Sequence, residues 1–346
     1  MAQLITNINN TVKYLREGNV VAIPTETVYG LGANIYNEEA LLNIFRFKGR
    51  PSSNPLIVHT YDIEQALNLY DLTFNPNLEK IIRILGNQFW PGPLTIISKA
   101  KSNISKTITA GTGNIAVRIP NNKKSLEILK KLKDIPIAAP SANKSGHISP
   151  VDSLHVLSEF KDDNIYVFHS GHIRFFEDKV GIESTVIQID DNQKNINICR
   201  QGGITFDDLD FFVKEKINDY KVIIAPCASS PGQSIKHYAI KDKETIMVDS
   251  YKELSLEDLE IKNSAIIDFG SLCKVFDGKI LYRNLSKRQN IDEAMMNLYD
   301  YLREIEGFSE ISKVYIIKDS KNYDKKWNGL YDRIFRACSG QYITKN

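Results

Sequence analysis

Lys48-Gly49-Arg50 stands directly before Pro51, and Asn54-Pro55 follows closely. Two cations flanking a glycine can converge on a phosphate or a carboxylate, and the proline after Arg50 forces that residue extended. A plain helix end, with Lys48 answering the C-terminal dipole, accounts for Lys48 but not for the stiff Arg50-Pro51 and Asn54-Pro55 pairs. Arg118 lies inside the apolar run IAVRIP. If buried it needs an anionic partner; on a strand whose alternate face is wet it needs none. Pro24–Gly32 (PTETVYGLG) mixes hydroxyls, a carboxylate and turn glycines, which suits either a ligand or an ordinary hydrogen-bonded turn. Ala139–Gly146 (APSANKSG) offers small polar residues straight after a strand, for close approach of a ligand or simply for a tight loop. Ser149-Pro150-Val151-Asp152 reads as a helix start capped by Ser149, and such a terminus also presents free N–H groups to a phosphate. Gly181–Val186 (GIESTV) and Arg200-Gln201-Gly202-Gly203 complete the set.

Several familiar chemistries are absent from the sequence. No G-x-x-x-x-G-K-[ST] loop occurs, and Gly30-Leu31-Gly32 lacks the third glycine of a dinucleotide fingerprint. There is no G-x-S-x-G elbow, H-E-x-x-H helix or kinase signature set. The four cysteines, Cys199, Cys227, Cys273 and Cys338, are far apart and without a zinc-ligand spacing, so they read as reduced thiols of a cytoplasmic protein. A net charge of +2 is too small for bulk nucleic-acid binding, so any anion must be met by a few placed cations.

These residues must be positioned by an α/β layer structure. Val20–Pro24, Pro55–His59, Leu94–Ser98, Ile115–Pro120, Pro136–Pro140, Ile165–His169 and Ser184–Asp190 are short β-branched runs that predict strands. Glu38–Lys48 places Leu41, Ile44, Phe45 and Lys48 at helical spacing behind Asn37 as N-cap. A chain of 346 residues is long for one core, which predicts two domains. A catalytic domain over 1–204 is followed by a closing helix and an ordered linker over 205–243. A smaller α/β domain occupies 244–346, with strands at Thr245–Asp249, Ala265–Gly270 and Lys313–Lys318 and helices at Ile291–Glu306 and Asn328–Ser339. The first twenty residues carry no basic segment leading into an apolar stretch, and no run approaches about eighteen apolar residues, so neither secretion nor membrane spanning is expected.

Taken in order, PTETVYGLG, KGRP-x-x-NPLIVH, PGPLTII, VRIP, APSANKSG, GIESTV and RQGGI resemble the YrdC-like domain of the threonylcarbamoyl-AMP synthases, from Val20 to Ile204. SPG-x-x-x-KHYA (Ser230–Ala239) and GLYDRIFRA extend the resemblance to the long, two-domain, Sua-type members. The resemblance implies an α/β fold with a twisted mixed sheet and a cationic concave site, joined to a Rossmann-like C-terminal domain. It implies threonine contacts at Thr27, His59, Arg118, Ala139 and Ser184, and ATP contacts at Arg50, Asn54, Asn114, Ser141, Ser149, Arg200 and Tyr238. Lys48, Arg50, Ser141 and Asn143 match its catalytic K-x-R plus S-x-N signature. The substrates implied are ATP with Mg²⁺, L-threonine and bicarbonate, with no organic cofactor and no membrane. The downstream partner implied is a tRNA threonylcarbamoyl transferase, with RNA binding weak at most. Tyr238 suggests that Pro226–Ile240 folds over the nucleotide as a lid, although a plain tether fits the composition equally. Gln233 replaces the family's usual methionine, and HYAI its usual HYAP.

Two other readings compete. A hydrogenase-maturation carbamoyltransferase shares a similar domain but adds cysteine-rich zinc fingers, which four scattered cysteines do not supply. A non-catalytic RNA-binding module would use the same basic groove, against which near-neutral charge and the absence of aromatic RNA-binding motifs both speak.

Overall fold

The structure, a computed structural model, describes residues 1–75, 77–225, 227, 237–249, 254, 263–274, 280–318 and 328–343. Two compact units divide the chain: Met1–Ser145 with Pro150–Gln233, and Gly146–Ser149 with Ser234–Asn346.

The first unit is built on a mixed sheet. Its strands are β1 (Gln3–Ile5), β2 (Val21–Ile23), β3 (Gly30–Asn34), β4 (Ile57–His59), β5 (Leu94–Lys99), β6 (Asn114–Arg118), β7 (Ile137–Ala138), β8 (Tyr166–Phe168), β9 (Thr185–Asp190), β10 (Asn195–Arg200) and β11 (Lys221–Ile224). They lie in the order β1-β8-β2-β3-β7-β4-β6-β5-β9-β10-β11. Each predicted strand of this region is present. β1, β3 and β10 are not among the predicted strands: the first is a three-residue edge strand with little apolar pattern, the second is the glycine-rich tail of PTETVYGLG, where Gly30 and Gly32 dilute the β signal, and the third, NINICR, carries two asparagines. Lys221–Ile224, read from the sequence as the start of the linker, is strand β11, paired in parallel with β10.

Sheet register does most of the work of positioning. β4 and β6 run parallel with His59 opposite Arg118 and Ile57 opposite Ala116. β5 is antiparallel to β6 with Ile96 opposite Val117, so Thr95 follows at the level of Arg118. Val186 of β9 pairs with Thr95 on one side and Arg200 of β10 on the other. Strands buried on both faces carry near-continuous apolar sequence, as in β2 and β5, so a polar residue within them stands out. A core cluster of Leu15, Val21, Ile23, Ile128, Leu129 and Leu132 packs helices against this sheet, each large side chain worth roughly 1.5–3 kcal/mol of burial.

The helix Glu38–Lys48 forms as predicted. Asn37 accepts from the Ala40 amide at 3.0 Å, Glu38 and Glu39 occupy the first turn, and Leu41, Ile44, Phe45 and Lys48 are buried. Gly49, at φ +59°, ends it in the left-handed conformation that glycine adopts at least cost. The helix Ser153–Glu159 starts differently from the expectation: its N-cap is Asp152, which accepts from the Leu154 amide at 2.7 Å, not Ser149. An aspartate one residue before the first turn satisfies the open amides as well as a serine would.

The cysteine expectation is also corrected. Cys199 and Cys227 form a disulfide with Cα atoms 5.1 Å apart. Parallel pairing of β11 beside β10 returns position 227 to position 199, which a separation of 28 residues does not reveal in sequence. Cys273 and Cys338 are buried free thiols whose pKa values burial pushes up.

The second unit has a smaller, all-parallel sheet: β12 (Glu244–Val248), β13 (Ser264–Asp268), β14 (Leu281–Asn284), β15 (Lys313–Ile317) and β16 (Tyr342–Ile343), in the order β14-β13-β15-β12-β16. The helices Ile291–Glu306, capped by Asn290, and Asn328–Ala337 belong to it. Among the described residues no helix is long and apolar enough to cross a membrane.

Candidate active site

Arg118 is the centre of a buried polar cluster at the end of β6. It is only 4% exposed. Its Nη2 donates to Glu26 Oε1 at 2.5 Å, its Nη1 to Thr27 Oγ1 at 2.9 Å and its Nε to the Gly92 carbonyl at 3.1 Å. The sequence required an anion for a buried Arg118, and Glu26 supplies it, delivered by the turn between β2 and β3. That turn is tied internally, with Thr25 Oγ1 donating to the Val28 carbonyl at 2.6 Å and lying 2.8 Å from Thr27 Oγ1. Beside Arg118, His59 is buried with its Nδ1 unpartnered, and its pKa is pushed down to about 3, first by burial and then by the Arg118 charge. It is neutral in this site at any ordinary pH.

Along the same sheet level, Ser184 Oγ and Thr95 Oγ1 are 2.7 Å apart and fully enclosed. Arg200 grips Ser184 from the neighbouring strand, through its carbonyl at 3.0 and 3.2 Å and its hydroxyl at 3.1 Å. Gly202 permits this approach: a Cβ there would sit 2.3 Å from the Glu183 carbonyl oxygen and 2.4 Å from the Ser184 carbonyl carbon. His59, Arg118, Thr27, Ser184 and Arg200 are thus gathered by register and by short turns.

A second group lies at the opposite ends of β4 and β6. Arg50 donates to the carbonyls of Asn54 at 3.1 Å and Pro55 at 2.8 Å, so the predicted rigid pairs form one folded-back turn leading into β4. Asn114 opens β6 at the same level, about 13 Å from Arg118 by strand rise. Lys48 is buried, and its ammonium donates to the carbonyls of Ser141 and Asn143 at 2.6 and 2.5 Å. Burial, with Arg50 next in weight, holds its pKa well below the usual lysine value. Lys48 therefore shapes the 141–145 loop, and Ser145 N returns a bond to the Lys48 carbonyl at 2.7 Å. The loop is locked further where Gly30 bridges Ser141 and where Leu31 N donates to the Pro140 carbonyl, with Ala139 buried beside Gly30.

Ser149 and Tyr238 are not part of this unit; both belong to the second one. There Tyr238 takes a positive φ of 64° and is buried, 4.0 Å from the His237 ring and 5.4 Å from the Tyr299 ring, with the Arg333 guanidinium 5.4 Å over its face. Most of the segment read as a lid, including Gln233, lies outside the described residues. Sequence reasoning missed Glu26 and Thr95 as site residues. The first could have been found from the need of Arg118 for an anion; the second carries no signal without the β5–β9 pairing.

Arg50, Arg118 and Arg200 are cationic donors of the kind that suits phosphate and carboxylate oxygens, whereas the Lys48 ammonium is taken up by loop carbonyls. Among the described residues no group of three His, Cys, Asp or Glu is placed to hold a metal ion.

The family model described as "Telomere recombination" matches residues 13–202, and that described as "Threonylcarbamoyl-AMP synthase, C-terminal domain" matches residues 204–339. The threonylcarbamoyl-AMP synthase of Pyrococcus abyssi is 33% identical over 85% of this chain and 83% of its own length. That of Bacillus subtilis is 33% identical over 99% of this chain and 96% of its own. The crystal structure of P. abyssi Sua5 complexed with L-threonine superposes with a TM-score of 0.82 at 27% identity, covering all of both chains. By its motifs, its two units and these matches, the chain belongs to the threonylcarbamoyl-AMP synthase family.

Proposed function

We propose that this chain is an L-threonylcarbamoyladenylate synthase, which converts L-threonine, bicarbonate and ATP to threonylcarbamoyl-AMP and pyrophosphate. The observation that carries this reading is the pair of sites on one stretch of sheet. A buried guanidinium cluster around Arg118 lies at one end of β6, and the Arg50–Asn54–Asn114 group at the other. In this reading Arg118, Thr27, His59, Ala139 and Ser184 hold threonine, and Arg50, Asn54, Asn114, Ser141 and Arg200 hold ATP. Mg²⁺ enters on the phosphate oxygens.

The amine of threonine first combines with bicarbonate to give a carbamate and water. A carbamate oxygen then attacks the α-phosphorus, the α–β phosphoanhydride bond breaks, and pyrophosphate leaves. In this reading Arg50 and Arg200 answer the negative charge that builds on the phosphates, while Lys48 keeps the Ser141–Asn143 loop in place. Positioning and electrostatics supply the rate without a protein nucleophile. The product carries an activated acyl group for a downstream transferase that modifies adenosine 37 of ANN-decoding tRNAs.

Pyrophosphate release by the full chain with Mg-ATP, omitting threonine and bicarbonate in turn, tests this. Release that needs both, and that falls about a hundredfold or more in Lys48→Ala or Arg50→Ala, is the expected result. Release indifferent to threonine sinks the assignment.

A further inference from the structure

Glu26 is the most buried carboxylate of the first unit's polar cluster, at 0% exposure. One of its oxygens, Oε1, is occupied by Arg118. The other, Oε2, is enclosed and has no hydrogen-bond partner. A buried carboxylate oxygen without a donor forfeits the hydration it had in water and gains nothing in return, so it calls for a specific explanation. Packing alone does not give one. The Glu26 backbone is pinned, its carbonyl accepting from the Val180 amide at 2.7 Å, and the turn on either side is tied by Thr25 and Thr27, so the side chain is directed to Arg118 by its frame.

Charge arithmetic within the cluster points the same way. A site meant only to capture a carboxylate would leave its arginine uncompensated. Here Arg118 is already paired with Glu26, and His59 beside it is neutral. The pair is left with unspent guanidinium N–H donors on one side and an unspent acceptor oxygen on the other. Donor and acceptor of opposite charge, side by side and buried, complement a ligand that carries both signs a few ångströms apart.

We propose that Glu26 is a specificity-determining residue which accepts a hydrogen bond from the α-amino group of the amino-acid substrate through Oε2, so that the Glu26–Arg118 pair recognises a zwitterion rather than a carboxylate. This rests on the function proposed above and deepens it. The contact survives the first chemical step, because the carbamate nitrogen still bears an N–H to donate. It also serves that step by fixing the nitrogen while the carboxylate end is held by Arg118.

Calorimetric titration of the full chain with L-threonine and with 3-hydroxybutanoate, which lacks only the amino group, tests the proposal. Wild type is expected to prefer threonine by about tenfold or more, the weight of a charge-assisted hydrogen bond. Glu26→Gln is expected to weaken threonine by about tenfold to a hundredfold and to leave 3-hydroxybutanoate within about threefold of its wild-type affinity. Glu26→Asp, which keeps the charge one methylene further back, is expected to retain a reduced preference for threonine. Equal loss of both ligands in Glu26→Gln overturns the proposal, since it leaves Glu26 only the task of orienting Arg118. Unchanged threonine affinity overturns it too. Should Glu26→Gln fail to fold, wild type and Glu26→Asp still decide: no preference for threonine over the des-amino analogue in wild type removes the idea. Wild type that binds ATP but no threonine at all removes the parent assignment instead.

Discussion

Each unit of this chain holds a carboxylate with no exposure, Glu26 in the first and Asp268 in the second, and their surroundings are opposite. Asp268, at the end of β13, accepts from the Phe269 amide at 2.7 Å, from the Cys273 amide at 2.8 Å and from the Tyr282 hydroxyl at 2.7 Å. Both of its oxygens are used, and these three partners lie within its own unit. Glu26 has a single strong partner and an idle oxygen. The first arrangement fastens a turn after a strand; the second leaves one buried carboxylate oxygen without a donor. Burial of an acid therefore does not by itself mark a site. What distinguishes the two is how completely the fold satisfies the charge.

The largest effect expected from this contrast is that of Arg118→Ala. It strands the Glu26 carboxylate without a counter-charge, which typically costs about 3–5 kcal/mol. On the function proposed above it also removes the donor for the substrate carboxylate, so stability in denaturant titration and threonine affinity should fall together. Asp268→Ala should cost about 3 kcal/mol, because two amides and a hydroxyl lose their acceptor in the interior. Threonine affinity should stay unchanged. A threonine defect in Asp268→Ala, or an Arg118→Ala protein of wild-type stability, would break the division between the two acids.

The sequence carried a good part of this. Glu38–Lys48 was legible because capping, first-turn acids and apolar spacing all agree, and they fix where Lys48 and Arg50 emerge. The requirement for an anion at a buried Arg118 was legible too, but not that the anion is Glu26, since that depends on the turn after β2 reaching across to β6. Thr95 against Ser184, and Cys199 against Cys227, depend on parallel strand neighbours distant in sequence, which local pattern cannot encode. The function of Lys48 shifted for a related reason. Its spacing suggested a phosphate contact, whereas the fold spends its ammonium on the carbonyls of a loop that returns beside the helix end.

Gly202→Ala sharpens the comparison at a smaller scale. The added Cβ would collide with backbone at Glu183, Ser184 and Thr185, none of which is the yielding tip of a side chain. Displacement of Ser184 should cost about 1–3 kcal/mol and should weaken threonine binding by disturbing the Arg200–Ser184–Thr95 chain. The threonine affinity is the discriminating readout: a stability loss alone would show that the chain is scaffolding, in the manner of Asp268.

At neutral pH the smallest effect concerns His59, because it develops only as the pH falls, and its sign follows from linkage. Burial and Arg118 lower its folded pKa to about 3, against an ordinary value of 6.5 in the unfolded chain. Between these values the unfolded state binds a proton that the folded state refuses, so stability rises with pH across that window and is lost as pH falls through it. The contribution is complete above about pH 6.5 and declines by about 1.4 kcal/mol per pH unit below it, flattening near pH 3. His59→Gln, which cannot titrate, should remove this slope while leaving the part contributed by the carboxylates. Denaturation midpoints of the two proteins, measured from pH 8 to pH 4, should therefore diverge below about pH 6. Parallel curves would mean that the imidazole is protonated inside the site, where it would oppose Arg118 and leave Glu26 answering two cations instead of one.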